Sequence, residues 1–465
     1  PTGDAQGCGT PLTVTGSGGE GVRVLVLVDG EHYPPVVRAA IAHLGHLVPG
    51  AEVVGAALLG GGEKLDGKPD VGVPVVEGPS ALAALAAALD RFGPVALVVD
   101  LSDEPVVDAR SRLRLAAHVL LAGVPYQGAD FRLDPPPRPR VATKPTVAVI
   151  GTGKRTGKTA VSAHLARTLA ADGRRPVVVA MGRGGPPEPE LIDPATFDLS
   201  PAGLVGLAAS GRHAASDHLE DALMARVATV GTRRCGGGLA GAPVDSTFAA
   251  GVELANGRPE RLLVLEGSGA AIPPVHADAT VLVVPATADP ELVTGYLGAY
   301  RLLLADLVVV TMAESSSDRG SVLLDGIRDL APGAGVVQAV LRPSPLASVS
   351  GRRIYYVTTA PPAAGEVLAA HLEQAHGATV VGVSHNLARR GALATDLEGV
   401  DADVVLVELK AAGVDVAARM ALEKGTDVVF CDNRVVTVGG DGSFEDMGRR
   451  MATLAEERYV HGCGS

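Results

Sequence analysis

The chain is 465 residues long, enough for two or three domains with cores of their own. It is 47% hydrophobic and 20% charged, an ordinary composition for a globular protein in water. Its net charge of −12 argues against wholesale binding to nucleic acid or acidic membranes, and no apolar run approaches the roughly eighteen residues of a membrane-spanning helix.

Residues 1–20 are rich in Gly, Thr and Ser and lack the basic start and apolar core of a signal peptide. A flexible N-terminal segment on a cytoplasmic protein is expected. Cys8, Cys235, Cys431 and Cys463 are scattered without metal-ligand spacing, which fits a reducing compartment.

Short apolar runs then alternate with amphipathic stretches, the pattern of βα units around a largely parallel sheet. An N-terminal α/β domain is expected over 21–140, with strands near 22–28, 52–58 and 95–100 and helices near 36–44, 80–91 and 107–121. At the end of its first strand stands "DGEHYPPVV". Asp29, Glu31, His32 and Tyr33, with Gly30 among them, would line a ligand edge there, and a capped helix start with Pro in its first turn explains half of the stretch equally well. The Pro-rich, basic "DPPPRPR" over 134–140 reads as a stiff linker.

A second domain, 141–350, opens with a strand at 146–150 and a helix at 158–171, joined by "GTGKRTGKT". Strand, Gly-rich loop, Lys-Thr and helix together cradle nucleotide phosphates: loop N–H groups converge on the anion, lysine reaches the β/γ oxygens and threonine meets Mg²⁺. Gly151 lies six positions before Gly157 rather than the usual five, and Thr152 stands where the first glycine normally does. Gly151, Thr152, Gly153, Lys154, Arg155, Thr156, Gly157, Lys158 and Thr159 are the expected nucleotide contacts. Of 40 basic residues only seven are lysines, and Lys144, Lys154 and Lys158 crowd into one short stretch here. Lysine is the compact point charge, so its persistence there points to a phosphate.

Further strands are expected at 176–180, 261–265, 280–284 and 307–311. The first opens into "MGRGGPPEPE", where Arg183 and Gly184 suit a phosphorylated or carboxylated substrate held by a guanidinium fork. "GTRRCGGGLAG" carries Arg233 and Arg234 and reads as a loop, too glycine-rich for helix or strand. The strand "RLLVLEGSG" ends in Glu266, placed to meet Mg²⁺ together with Thr159. A third α/β domain is expected over 351–465, with strands at 353–358, 379–384, 403–408 and 427–431. Glu408 and Lys410 in "VELKAAGVDV" read as a site or a structural ion pair. His213, His218 and His276 show no zinc spacing and read as ordinary polar residues.

The whole is then an α/β protein with a P-loop NTPase-type doubly wound parallel sheet, flanked by N- and C-terminal α/β domains. The loop with five residues between its glycines, followed by an "EG-small-G" strand end, is similar to dethiobiotin synthetase. A closer resemblance, over most of the chain, is to the cyclic 2,3-diphosphoglycerate synthetase family, carried by "DGEHYPPVV", "GADFRLDPP", "IGTGKRTGKTA", "MGRGGPPEPE", "RRCGGG", "EGSGAAIPP" and "ELKAAGVDV" in one order. The resemblance implies ATP-dependent closure of 2,3-diphosphoglycerate into a ring through an internal P–O–P bond, assisted by Mg²⁺ and K⁺, in a cytoplasmic homodimer. Lys154, Lys158 and Arg183 would then act on the reacting phosphates, with Arg183, Gly184, Arg233 and Arg234 holding the substrate and Thr159 with Glu266 the metal. A kinase or ligase acting on another small phosphorylated acid is one alternative, and a nucleotide-driven switch that releases a partner is the other class to weigh. Its signature lysine, five positions before Lys158, is replaced by Gly153.

Overall fold

The computed structural model describes residues 21–64, 67, 69–210, 217–314, 318–409 and 414–462. Residues 1–20, Cys8, Lys68, His213, Lys410 and Cys463 lie outside them. The chain forms two compact units that meet between Pro135 and Pro136.

The first unit is one sheet of β1 (Val22–Val28), β2 (Ala51–Leu58), β3 (Val75–Val76), β4 (Leu97–Asp100), β5 (Tyr126–Gln127) and β6 (Arg132–Leu133). The order is β3-β2-β1-β4-β5-β6, and only β6 runs antiparallel. β1 after Arg23 and β4 up to Asp100 read as apolar runs and are buried, as expected of central strands in a parallel sheet. Just past β1, the carboxylate of Asp29 accepts the amides of Glu31, His32 and Asp103, and His32 Nδ1 lies 2.9 Å away. The Pro34–Ala42 helix follows at once with Pro in its first turn. Half of the "DGEHYPPVV" stretch is thus a helix entry.

The second unit is a single 13-stranded sheet. Its strands are β7 (Thr146–Gly151), β8 (Pro176–Gly182), β9 (Glu190–Ile192), β10 (Thr229–Cys235), β11 (Asp245–Ser246), β12 (Leu262–Glu266), β13 (Ala279–Pro285), β14 (Leu307–Thr311), β15 (Gly335–Pro345), β16 (Arg353–Val357), β17 (Thr379–Ser384), β18 (Val404–Glu408) and β19 (Asp427–Gly440). The path runs β11-β10-β8-β12-β7-β13-β14-β15-β19-β18-β16-β17, with β9 beside β10. β7 sits centrally, parallel to both β12 and β13. The chain leaves β7 toward β8 and later returns to its other side, so the end of β7 is a topological switch point, where doubly wound sheets bind ligands.

The 351–465 stretch shares this sheet through β19. Its first residues pair parallel with β18, and the rest runs antiparallel to β15. The sequence suggests a strand ending at 431, since Asp432, Asn433 and Arg434 look like a polar stop. The strand continues because Asp432 is buried against Arg167 of the Lys158–Ala171 helix, 2.6 Å away. That helix is enclosed on nearly every side, with the Phe444–Gly462 helix over its outer face. Gly448 allows the close approach: a Cβ there would stand 2.8 Å from Leu165.

Elsewhere the polar expectations resolve simply. Glu408 is buried and bonded by the hydroxyls of Thr358 and Thr359 and by the Asn433 amide. His276 lies 3.5 Å from Asp278, and His218 lies 3.6 Å from Glu190. Cys235 and Cys431 are free thiols.

Candidate active site

The apolar β7 strand ends at Gly151 and the helix begins at Lys158, so the loop between them closes the switch point from below. Gly157 caps the helix at φ +85°, a left-handed backbone that favours glycine, and the Thr311 hydroxyl pins the carbonyl of Thr156 at 2.6 Å. Lys158 and Thr159 start the helix and are buried, as is Thr156, whose hydroxyl has no hydrogen-bond partner among the described residues. Lys154 and Arg155 stand exposed at the loop tip, with Thr152 and Gly153 half-buried behind them. The loop therefore offers one lysine inside and one outside.

The hydroxyl of Thr159 donates to Oε1 of Glu266 at 3.0 Å. Glu266 ends β12 and is buried, and among the described residues its Oε2 accepts from no hydroxyl or N–H donor. Against it lies Asp221, from the Asp217–Ala225 helix, fully buried with neither oxygen hydrogen-bonded to a donor. Burial first, and then the charge of Glu266, push the Asp221 carboxyl well above its ordinary range. A hydroxyl and carboxylate oxygens left over at a phosphate loop form the hard-oxygen donor set that Mg²⁺ takes. The acids at 217, 220 and 221 interrupt an otherwise apolar helix. That interruption was the signal available in the sequence.

Three residues past Glu266 the chain meets two guanidiniums. Gly269 has φ +60°, and a Cβ on it would fall 2.5 Å from Arg183 Nη2 and 3.3 Å from Arg234 Nη2. Arg183 is exposed, just beyond β8, with the open backbone of Gly184 next to it. Arg234 is buried and donates to the carbonyls of Ser268 at 2.7 Å and Gly236 at 2.6 Å, while its Nε has no hydrogen-bond partner among the described residues. Burial, then the neighbouring charge of Arg183, lower the Arg234 pKa. Among the described residues neither arginine forms an ion pair with a carboxylate. The Asp217 carboxylate offsets part of the Arg234 charge, and the two guanidiniums held together keep a fork-shaped donor set of the kind that suits an anion.

The segment around Arg233 and Arg234 is strand rather than the expected loop. β10 runs through both residues, hydrogen-bonded to β8, β9 and β11, and only from Gly236 onward do the glycines form a loop. Successive strand side chains point to opposite faces. Arg234 consequently turns toward Gly269, while Arg233 is exposed on the other side and is not brought to the cluster.

A phosphate-cradling loop at the switch point, with Lys158 and Thr159 opening the helix behind it, defines a P-loop protein that handles nucleotide phosphates. The P-loop-domain model of cyclic 2,3-diphosphoglycerate synthetase matches residues 146–340, with that family's N-terminal domain at 23–134 and C-terminal domain at 345–434. The chain is 50% identical over 432 residues to the cyclic 2,3-diphosphoglycerate synthetase of Rubrobacter xylanophilus, across 92% of this chain and 97% of that one. It is 50% identical over 422 residues to that of Thermococcus gammatolerans (90% and 94% covered) and 42% over 435 residues to that of Methanothermus fervidus (90% and 94%). The chain belongs to the cyclic 2,3-diphosphoglycerate synthetase family.

Proposed function

We propose that the protein closes 2,3-diphosphoglycerate into its cyclic anhydride at the expense of ATP, releasing ADP and phosphate. One observation carries this reading: the short Glu266–Gly269 stretch borders the nucleotide helix at one end and the arginine pair at the other. ATP on the loop and a phosphorylated acid on Arg183 and Arg234 would therefore meet along a single turn of chain.

Charge repulsion is the obstacle to that meeting, since two phosphates and a carboxylate must approach a triphosphate. Lys158 would neutralise the β/γ oxygens from within and Lys154 would face the transferred phosphoryl group from the loop tip. Arg183 and Arg234 would hold the substrate phosphates, with Gly184 leaving its backbone open beside them. Thr159 and Glu266 would hold Mg²⁺, with Asp221 behind them. A cation held there would screen the phosphate oxygens. K⁺ dependence, a homodimer and a cytoplasmic location complete the reading.

An oxygen of one substrate phosphate attacks the γ-phosphorus of ATP, forming a substrate-linked pyrophosphate and expelling ADP. The neighbouring phosphate then attacks the substrate's own phosphorus in that linkage and expels inorganic phosphate, closing the ring. The bridging oxygen leaves with the γ-phosphorus. Substrate labelled with ¹⁸O in its non-ester phosphate oxygens should pass one label to each released phosphate. Phosphate carrying solvent oxygen instead would mean that ATP is hydrolysed separately, as in a nucleotide switch, and would defeat the proposal.

A further inference from the structure

Arg301 lies on the short Gly298–Leu303 helix and is 6% exposed. Its Nε and Nη2 donate to the carbonyl of Ala270 at 2.9 and 2.7 Å, and its Nη1 donates to the carbonyl of Leu239 at 3.3 Å. Ala270 belongs to the loop after Glu266, and Leu239 to the glycine loop after Arg234. The same two loops are joined directly, Ile272 N–H to Gly241 O at 2.9 Å, and Arg234 joins them again through Ser268 and Gly236. Gly241 has φ +93°, and a Cβ there would stand 3.0 Å from both Arg301 Nη2 and the Ala270 carbonyl.

Among the described residues no carboxylate forms an ion pair with Arg301. Burying a guanidinium without one is costly, so a structural clasp alone is a poor reason for a charge at this position. A neutral donor could bridge two carbonyls at lower cost. A retained charge makes sense where an anion arrives next to it.

We infer that Arg301 is the positioning residue of the anion site: its fork fixes the Ala270 and Leu239 carbonyls against each other, so that the Ser268 and Gly236 carbonyls on the same two loops hold Arg234 beside Arg183. This rests on the reading of Arg183 and Arg234 as the substrate clamp. The planar fork is the requirement, because two donors on one carbonyl and a third on another need its fixed geometry.

The test compares the full-length wild type with Arg301→Lys and Arg301→Met, reading KM for 2,3-diphosphoglycerate, KM for ATP and thermal midpoint. Both variants should raise the KM for the acid at least tenfold while the KM for ATP stays within twofold, with Arg301→Lys keeping most of the thermal stability. Equal rises in both KM values, or a fall in thermal midpoint with both KM values unchanged, would overturn the inference. A second measurement separates it from the choice of substrate: calorimetric binding of inorganic pyrophosphate with the nucleotide loop saturated by a non-hydrolysable ATP analogue. Wild type should bind and Arg301→Lys should bind at least tenfold more weakly. Equal binding, or none by the wild type, would overturn the positioning role. A wild type that binds pyrophosphate but never turns over 2,3-diphosphoglycerate would instead refute the proposed reaction.

Discussion

Thr159 and Glu266 are joined by a 3.0 Å hydrogen bond that links the first turn of the nucleotide helix to the end of β12. Glu266→Gln keeps an oxygen for that bond but removes the charge. The fold and thermal midpoint should hold, while kcat falls and the Mg²⁺ concentration for half-activation rises about tenfold or more. Wild-type activity at limiting Mg²⁺ would remove Glu266 from the metal. Lys158→Ala should cost about 10³-fold or more in kcat, read under saturating ATP.

Arg183 and Arg234 should separate by their burial. Arg183→Ala removes an exposed guanidinium, so the KM for the acid should rise at least tenfold with stability and ATP affinity little changed. Arg234→Ala also frees the carbonyls of Ser268 and Gly236, and should lose a further ~1–3 kcal/mol of stability. Paired kinetics and urea unfolding distinguish the two patterns. Equal loss of ATP and acid affinity in Arg183→Ala would assign it to the nucleotide.

Gly269→Ala tests the geometry more finely. The left-handed backbone at φ +60° costs a non-glycine residue about 1–2 kcal/mol, and the added methyl strikes Arg183 Nη2. The exposed arginine can swing aside, so the protein should fold. The acid KM should nevertheless rise by about the same factor as in Arg183→Ala, and combining both changes should add little. A fully additive double variant would place Arg183 elsewhere during turnover.

His164, on the nucleotide helix, gives a pH signature. It is buried against Phe444, with Nε2 3.0 Å from Glu445. Burial, then the charge of Arg167, pull its pKa from 6.5 to about 4, so the native imidazole is neutral. Between those values the unfolded chain binds a proton that the folded chain refuses, and stability falls as pH drops through the window. By pH 5 the loss is about 2 kcal/mol. His164→Gln should show a correspondingly smaller drop in unfolding free energy between pH 7 and pH 5. An identical drop would show that His164 does not titrate in that window.

The nucleotide loop was legible because its chemistry is local: glycines, Lys158 and Thr159 within one turn, between an apolar strand and a helix. Glu266 was legible for the same reason, as a lone acid ending an apolar strand. Asp221 and Arg301 were not, because their meaning comes from contacts made across the sheet by residues distant in sequence. Arg233 and Arg234 misled by composition. Glycines after Cys235 made the whole stretch look like a loop, whereas pairing with β8 at Arg233 and with β11 at Arg234 holds the arginines in a strand and turns them apart. β19 misled similarly, since its polar middle is a strand only because Arg167 waits there for Asp432.

The most direct measurement is ³¹P NMR of the protein with ATP, Mg²⁺ and 2,3-diphosphoglycerate. The two phosphomonoester signals of the acid should give way to a mutually coupled pair at anhydride shifts, with ADP and inorganic phosphate appearing in equal amounts. Consumption of ATP with the phosphomonoester signals unchanged would contradict the account.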